Sequence, residues 1–218
     1  MSGPGPDLEG VAFDGRAFDA VVFDLLTALI DSWTLWNRVA GSAERGLAWR
    51  RKYLELTYQA GAYRPYETVV RDAARLSGID PRCAGELIRR WGELAPWPET
   101  PEVLAELGLR VPLGIATNCS ARLGSIAAER SGGHYAVIAT AESVGYYKPR
   151  PEPYRAVLGK LGTDPARTLF VAGSAADVPG AKGVGMPVYW HNRMGLAPLD
   201  ECRPDFIATS LSPLLDLV

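Results

Sequence analysis

Two acids and a lysine stand close behind apolar runs of this sequence, where buried strands would end. Asp24 directly follows AVVF, Lys148 comes after YAVIAT, and Asp177 comes shortly after TLFVAG. A lysine lowers the pKa of a neighbouring buried carboxylate and stabilises charge in a displacement step, so such a carboxylate can act as a nucleophile. A single aspartate at a strand end more often caps a helix or turn. The prediction of nucleophilic chemistry therefore depends on several polar strand ends that occur together.

Small polar residues occupy the same kind of position. VPLGIAT ends in Thr117 and is followed by Asn118, and Ser174 directly follows TLFVAG. These side chains meet the acids and the lysine only if the strands before them are parallel, because the carboxyl ends of parallel strands lie at one edge of a sheet. We therefore expect one site that combines two carboxylates, a cation and neutral hydrogen-bonding groups.

The elements between these residues alternate in type. Short apolar runs bounded by turn residues predict buried strands at 20–23, 111–117, 135–140 and 168–173, and a further one from Pro187. Helical patterns lie between them, at 101–108, 121–132, 151–162 and 176–185. This alternation predicts βαβ units, and so an α/β fold with a doubly wound parallel sheet.

One long segment interrupts the alternation. Residues 33–95 contain no buried-strand signal and show amphipathic helical spacing, as in WRRKYLELTYQA and YETVVRDAARLSG. We interpret this segment as an inserted helical cap above the carboxyl ends of the strands, with a core of residues 18–32 and 96–218. Residues 1–17, rich in Gly, Pro and Asp, are expected to be a flexible arm.

Composition limits the partners. A chain of 218 residues with 47% hydrophobic side chains can bury one domain with an insertion, and a net charge of −2 gives no basic field for nucleic acid or anionic membrane. We expect a small-molecule substrate. No run reaches the roughly 18 apolar residues of a membrane span and no secretion signal is visible, so a cytoplasmic location is expected. Cys83, Cys119 and Cys202, without CxxC spacing, are expected to be reduced thiols.

Four segments resemble, in order, the motifs of the haloacid dehalogenase superfamily: FDLLTALIDS, ATNCS, YYKPRPEPY and FVAGSAADVPGAKGVGM. Their order and joint spacing cover most of the chain. The resemblance implies a Rossmann-like core with an inserted cap, and it implies that Asp24 is the nucleophile.

The second residue after the nucleophile divides this superfamily. Its phosphatases carry an aspartate there that protonates the leaving alcohol and whose carbonyl helps to hold magnesium, whereas this chain has Leu26. A further acid of the phosphatases is replaced by Gly173, which leaves Asp24 and Asp177 as the side-chain ligands if Mg²⁺ is bound. Two carboxylates hold the ion weakly, so we expect no metal to be required. A general acid commonly raises the reaction rate by about 10²- to 10⁴-fold. A halide leaves without a proton, so a dehalogenase loses little rate when this acid is absent.

Three further stretches resemble the L-2-haloacid dehalogenases: AWRRKYLELTYQAGAYRPYETVVRDA, LAPWPETPEVLAEL and VYWHNRMG. Residue by residue, the resemblance implies that Arg50 binds the substrate or the halide and that Lys148 is the charge partner of Asp24. Arg50 could instead be a solvated arginine of the cap, and Tyr154 a packing residue. The predicted catalytic residues are Asp24, Lys148 and Asp177. The predicted substrate-binding residues are Leu26, Arg50, Thr117, Asn118, Tyr154 and Ser174.

The sequence also departs from that subfamily beside the nucleophile. Relatives usually have Gly-Thr where this chain has Thr27 and Ala28, so a hydroxyl is missing or displaced by one position. Their Ser-Ser-Asn corresponds here to residues 172–174, Ala-Gly-Ser, which removes further polar groups. The loss of a polar group next to a nucleophile can lower the catalytic rate by about 10- to 1000-fold.

The predicted reaction has two steps and no cofactor. Asp24 attacks C2 of a short 2-haloalkanoic acid with inversion, and water then hydrolyses the resulting ester to the 2-hydroxy acid. Two alternatives stay open: a phosphatase that holds Mg²⁺ through Asp24, the Leu26 carbonyl and Asp177, and a binding protein that has lost its catalytic groups. A homodimer is possible. Five cap aromatics either wall a dry pocket or only pack: Trp33, Trp36, Tyr58, Tyr63 and Tyr66.

Overall fold

The computed structural model describes residues 18–199 and 202–218. The predicted arm, residues 1–17, lies outside the described residues. The described residues form the strands β1 (Ala20–Phe23), β2 (Ile30–Asp31), β3 (Ala95–Pro96), β4 (Leu113–Thr117), β5 (Val137–Thr140), β6 (Thr168–Ala172), β7 (Val188–His191) and β8 (Phe206–Ala208). They also form the helices α1 (Ser32–Ala40), α2 (Ala43–Gln59), α3 (Tyr66–Leu76), α4 (Arg82–Arg89), α5 (Thr100–Gly108), α6 (Ala121–Ser131), α7 (Ala141–Val144), α8 (Pro151–Leu161) and α9 (Asp177–Lys182).

A parallel sheet lies at the centre of the protein. Within the described ranges, six strands form it in the order β5-β4-β1-β6-β7-β8, and every paired strand runs parallel to its neighbour. The order places β1 between β4 and β6, with Phe23 opposite both Ile115 and Val171. The residues that follow these three strands therefore share one edge of the sheet.

Helices cover both faces of this sheet. Side chains of a strand alternate between its faces, so Val21 and Phe23 pack in one apolar cluster and Val22 packs in another. The first cluster includes buried residues of α5 and α6, and the second includes buried residues of α8 and α9. A sheet buried on both faces explains why its strands are continuous apolar runs rather than alternating ones.

The helices α1 to α4 are inserted between β1 and β4, and a short antiparallel pair joins them to the sheet. β2 leads into α1, β3 leads back to the core, and the pair aligns Ile30 with Pro96 and Asp31 with Ala95. The Asp31 carboxylate also caps α1, because it accepts a hydrogen bond from the backbone N–H of Thr34 at 3.1 Å. Entry and exit of the insertion are thus held side by side.

The predicted α/β fold with a doubly wound parallel sheet and a helical cap is confirmed. The sequence patterns missed β8, α7 and the β2–β3 pair, all of them two to four residues long. They also made the helix at 176–185 too long, since α9 covers only Asp177–Lys182. The boundaries of 33–95 for the cap and of 18–32 and 96–218 for the core stay predictions. None of the described helices is long and apolar enough to cross a lipid bilayer.

Candidate active site

Asp24 stands at the carboxyl end of β1, and both oxygens of its side chain are held. Oδ1 lies 2.8 Å from Nζ of Lys148. Oδ2 accepts hydrogen bonds from the Thr27 hydroxyl at 2.7 Å and from the backbone N–H groups of Thr27 at 3.1 Å and Ala28 at 3.4 Å. Burial raises the pKa of Asp24, but Lys148 and Thr27 outweigh it and hold the pKa below its ordinary value. The carboxylate is therefore ionised and fixed in orientation.

Lys148 is a cation shared by two acids. Its side chain is almost fully buried, and Nζ lies 2.8 Å from Oδ1 of Asp24 and 3.0 Å from Oδ1 of Asp177. Burial lowers the pKa of Lys148, but the two carboxylates outweigh it and raise the pKa above its ordinary value. Asn118 fixes the backbone of this lysine, since its Oδ1 accepts from Lys148 N at 2.7 Å and its Nδ2 donates to Lys148 O at 3.2 Å.

Asp177 titrates differently from Asp24 although both contact the same lysine. Burial, together with the nearby charge of Asp24, raises the pKa of Asp177 to about 6 against the opposing effect of Lys148. The Tyr154 hydroxyl donates to its Oδ1 at 3.1 Å, from a side chain that is fully buried against Phe170. Two carboxylates with pKa values pushed apart can serve different roles in one reaction.

A hydroxyl does contact the nucleophile, and it belongs to Thr27 rather than to residue 28. The side chain of Thr27, one position earlier than in relatives, reaches Asp24 directly. Space for it exists because residue 173 is a glycine: a Cβ at Gly173 would overlap the Thr27 hydroxyl and the backbone nitrogen of Ala28. Thr27 and Gly173 are therefore a sterically matched pair.

Arg50 approaches the site from α2 of the cap. Its guanidinium lies 4.1 Å from the ring centre of Trp33 and 5.3 Å from that of Trp36, and Nη1 donates to the Ser32 hydroxyl at 2.7 Å. Only about 5% of Arg50 is exposed, which contradicts the alternative of a solvated arginine. Burial lowers the pKa of Arg50, yet arginine starts so high that it keeps its charge.

These groups surround one cavity of about 60 Å³ between the sheet edge and the cap. Most of the predicted site residues line it, and Tyr154, predicted to bind substrate, does not: it lies behind Asp177. Among the predicted aromatics, Trp33 and Tyr58 line the cavity. Trp36, Tyr63 and Tyr66 are not among its walls and contact other aromatic rings of the protein. The lining residues are Asp24, Leu26, Thr27, Trp33, Arg50, Tyr53, Leu54, Tyr58, Thr117, Asn118, Lys148, Gly173, Ser174, Asp177 and Leu196.

Several residues that line the cavity were not predicted from the sequence. Tyr53 and Leu54 lie three and four residues after Arg50 in the same helix, so helical spacing alone could have placed them beside it. Leu196 comes from a segment after β7 and had no such signal. Ser174 was predicted, and it lines the cavity together with Tyr58, whose pKa burial raises to about 12.

The arrangement does not fit a magnesium ion. The two acids that would bind Mg²⁺ both contact the Lys148 ammonium, which occupies one oxygen of each and compensates part of their charge. The third group, the Leu26 carbonyl, accepts a hydrogen bond from Ser32. Within residues 18–199 and 202–218, no cluster of three His, Cys, Asp or Glu side chains has the arrangement of a metal site. The residues present instead form a fixed, ionised carboxylate beside a small pocket.

Known proteins are similar to this chain in sequence and in fold. A family model of haloacid dehalogenase-like hydrolases matches residues 7–185. An (S)-2-haloacid dehalogenase of Pseudomonas sp. (strain YL) is 30% identical over 90% of this chain and 93% of the relative. Haloacetate dehalogenase H-2 of Moraxella sp. (strain B) is 27% identical over 93% and 99%. The crystal structure of the L-2-haloacid dehalogenase RSc1362 aligns with a TM-score of 0.82 and 26% identity, covering 92% of this chain and 98% of that one.

Proposed function

Because the chain belongs to the haloacid dehalogenase-like hydrolases, we propose that it hydrolyses the carbon–halogen bond of a short 2-haloalkanoic acid without a metal. The observation that carries the proposal is the state of Asp24: an ionised carboxylate, held by Lys148 and Thr27, in the same small cavity as Arg50. The names of similar proteins also support a carbon–halogen bond as the target, since they include haloacid and haloacetate dehalogenases.

In the first step Asp24 acts as the nucleophile. A carboxylate oxygen forms a bond to C2 of the substrate from the side opposite the halogen, and the carbon–halogen bond breaks with both electrons leaving on the halide. Configuration at C2 inverts. Arg50 supplies positive charge in the cavity for an anionic group of the substrate or for the departing halide. Leu26 stands where a phosphatase needs an acid, and a halide leaves without one.

In the second step water attacks the carboxyl carbon of the Asp24 ester. Asp177 accepts a proton from the water, because it lines the cavity beside Asp24 and is ionised at neutral pH. Lys148, bonded to both acids, stabilises the negative charge on the tetrahedral intermediate. The bond between the Asp24 oxygen and C2 stays intact in the attack. The carboxyl carbon–oxygen bond then breaks, and the departing oxygen of the 2-hydroxy acid takes up the proton held by Asp177. The Asp24 carboxyl, which now contains the oxygen of the water, loses its remaining proton to solvent and is a carboxylate again.

The proposal is tested by halide release from L- and D-2-chloropropionate, chloroacetate and fluoroacetate, with and without EDTA. We expect release that EDTA leaves unchanged and that Asp24→Asn lowers by at least about 1000-fold, because an amide is not a nucleophile. In single-turnover reaction in isotopically labelled water, the label should enter Asp24.

Two outcomes would contradict the proposal. Release of phosphate from simple esters that EDTA abolishes, with no halide from any haloacid, would make the protein a magnesium-dependent phosphatase. Partner binding that survives Asp24→Asn in a protein without either activity would make it a binding protein. Asp205→Asn is the matched control, since Asp205 forms an ion pair with Lys182 away from the cavity walls.

A further inference from the structure

Ser32 stands between the nucleophile loop and Arg50. It is fully buried at the first position of α1, where its hydroxyl donates to the carbonyl of Leu26 and accepts from Nη1 of Arg50 at 2.7 Å. A hydroxyl has one proton to donate, and Leu26 uses it, so the oxygen faces the guanidinium as an acceptor. The cap arginine is thereby tied to the loop that carries Asp24.

The remaining contacts of Arg50 leave one part of it unpaired. The guanidinium carbon lies over the rings of Trp33 and Trp36, and the Ser32 hydroxyl accepts from Nη1. No described residue accepts a hydrogen bond from the buried Nε. An unpaired buried donor on a charged group is costly, whereas an anion accepts well from a guanidinium edge. Arg50 lines the cavity, so an anion bound there can accept a hydrogen bond from this unpaired donor.

We propose that Ser32 is a positioning residue that holds Arg50 by Nη1, so that the guanidinium edge carrying Nε binds the anionic group in the cavity. This inference rests on the proposed function for the identity of that group, which is either the substrate carboxylate or the released halide. Ser32 itself touches neither. It acts by fixing the rotation of a long side chain that has many alternative rotamers when it is not held.

The test measures anion binding directly, so it does not need turnover. Propionate carries the carboxylate without a halogen, and bromide is a halide without a carboxylate. Titration calorimetry of each into the wild-type protein and Ser32→Ala gives both affinities. We expect Ser32→Ala to weaken one of them by about 10-fold, since a charge-assisted hydrogen bond is commonly worth about that factor or more. Weaker propionate binding assigns the edge to the carboxylate, and weaker bromide binding assigns it to the halide.

Ser131→Ala is the matched control. Ser131 is also fully buried and hydrogen-bonded, to Ala128 O and Tyr135, but it lies in α6 and does not line the cavity. It should leave both affinities within about 2-fold of wild type. If a folded Ser32→Ala protein keeps both affinities, or if Ser131→Ala weakens them equally, the inference is wrong.

A second variant covers the case in which Ser32→Ala fails to fold. Ser32→Cys keeps a side chain of similar shape but is a weak acceptor for Arg50, and it should weaken the same anion. Halide release from chloropropionate, measured in parallel, separates this inference from the proposed function. A wild-type protein that binds anions in a Ser32-dependent way but releases no halide would retain the role of Ser32 and overturn the dehalogenase.

Discussion

The two walls of the cavity differ in how completely their polar atoms are paired. On the core wall, Asp24, Lys148 and Asp177 all have partners within hydrogen-bond distance. On the cap wall, the Nε of Arg50 and the hydroxyl of Tyr53 are buried, and no described residue is their hydrogen-bond partner. The charged groups of the core wall are thus paired in the free protein, whereas the cap wall keeps two unpaired polar atoms.

This contrast favours a catalytic role for the core wall and a ligand-binding role for the cap wall. Catalytic groups act best when their orientation is fixed before the substrate arrives, because no reorganisation is then needed during the reaction. An unpaired buried polar group costs about 1–3 kcal/mol in the free protein, and a ligand that accepts or donates there relieves this cost. The core wall thus fits the first role and the cap wall fits the second.

The largest effect is expected from removing the centre of the core wall. Lys148→Met leaves Asp24 and Asp177 as buried carboxylates without compensation, which typically costs about 3–5 kcal/mol of stability. Halide release should fall by at least about 1000-fold, since Lys148 also orients Asp24 for the first step and stabilises charge in the second. Urea unfolding and halide release measure the two effects.

Lys182→Met is the control for this variant. Lys182 pairs with Asp205 at 2.8 Å but is partly exposed, so its loss should cost only about 0–1 kcal/mol and leave activity intact. Equal losses in the two lysine variants would show that the core wall has no special dependence on Lys148.

A pH dependence of intermediate size is expected from Asp177. Its pKa is raised to about 6, so it is ionised above that pH and becomes protonated as the pH decreases through about 6. A protonated Asp177 cannot accept the proton of the hydrolytic water, so halide turnover should fall on the acid side. The midpoint should lie at or below about 6, because the Asp24 ester lacks the charge that helps to raise the pKa of Asp177 in the free protein. Initial rates with chloropropionate from about pH 5 to pH 8 measure it.

Asp177→Asn should be slow and should lose this acid limb, whereas Asp205→Asn should keep it. An unchanged acid limb in Asp177→Asn would assign the titration to another group and remove the distinction between the two acids of the core wall.

The smallest and most direct comparison uses two buried tyrosines. Tyr154→Phe removes the hydrogen bond to Asp177 and should cost about 1 kcal/mol of unfolding free energy. Tyr53→Phe removes a hydroxyl without a partner, so stability should stay the same or increase. Urea unfolding of both variants without ligand measures the difference. If Tyr53→Phe destabilises as much as Tyr154→Phe, the cap wall is paired after all and the contrast between the walls fails.

The sequence predicted the core wall better than the cap wall, for a physical reason. Asp24, Lys148 and Asp177 follow strands, and parallel strands bring their carboxyl ends to one edge wherever the sheet forms. The cap residues depend on how helices pack over that edge, which a strand pattern does not encode. Helical spacing could have placed Tyr53 beside Arg50, because both lie in α2. The contact of Ser32 with Arg50 joins two helices and depends on their packing.

Other differences between the predictions and the structure have local causes. Strand β8 is only three residues long, too short for an apolar periodicity to stand out from its surroundings. The direction of the Thr27 side chain depends on the turn after β1, and the sequence alone left open whether the hydroxyl was absent or moved. Tyr154 was predicted at the site but stands one layer behind it, because its ring packs on Phe170 and only its hydroxyl reaches Asp177.

The close approach of Gly173 to Thr27 makes these two positions interdependent. A side chain at 173 and the present Thr27 rotamer cannot occupy the same space, so a larger residue at 173 would force the Thr27 hydroxyl away from Asp24. The effect of a substitution at either position therefore depends on the residue at the other, and the two substitutions should be non-additive. The hydroxyl beside the nucleophile is a property of the pair rather than of Thr27 alone.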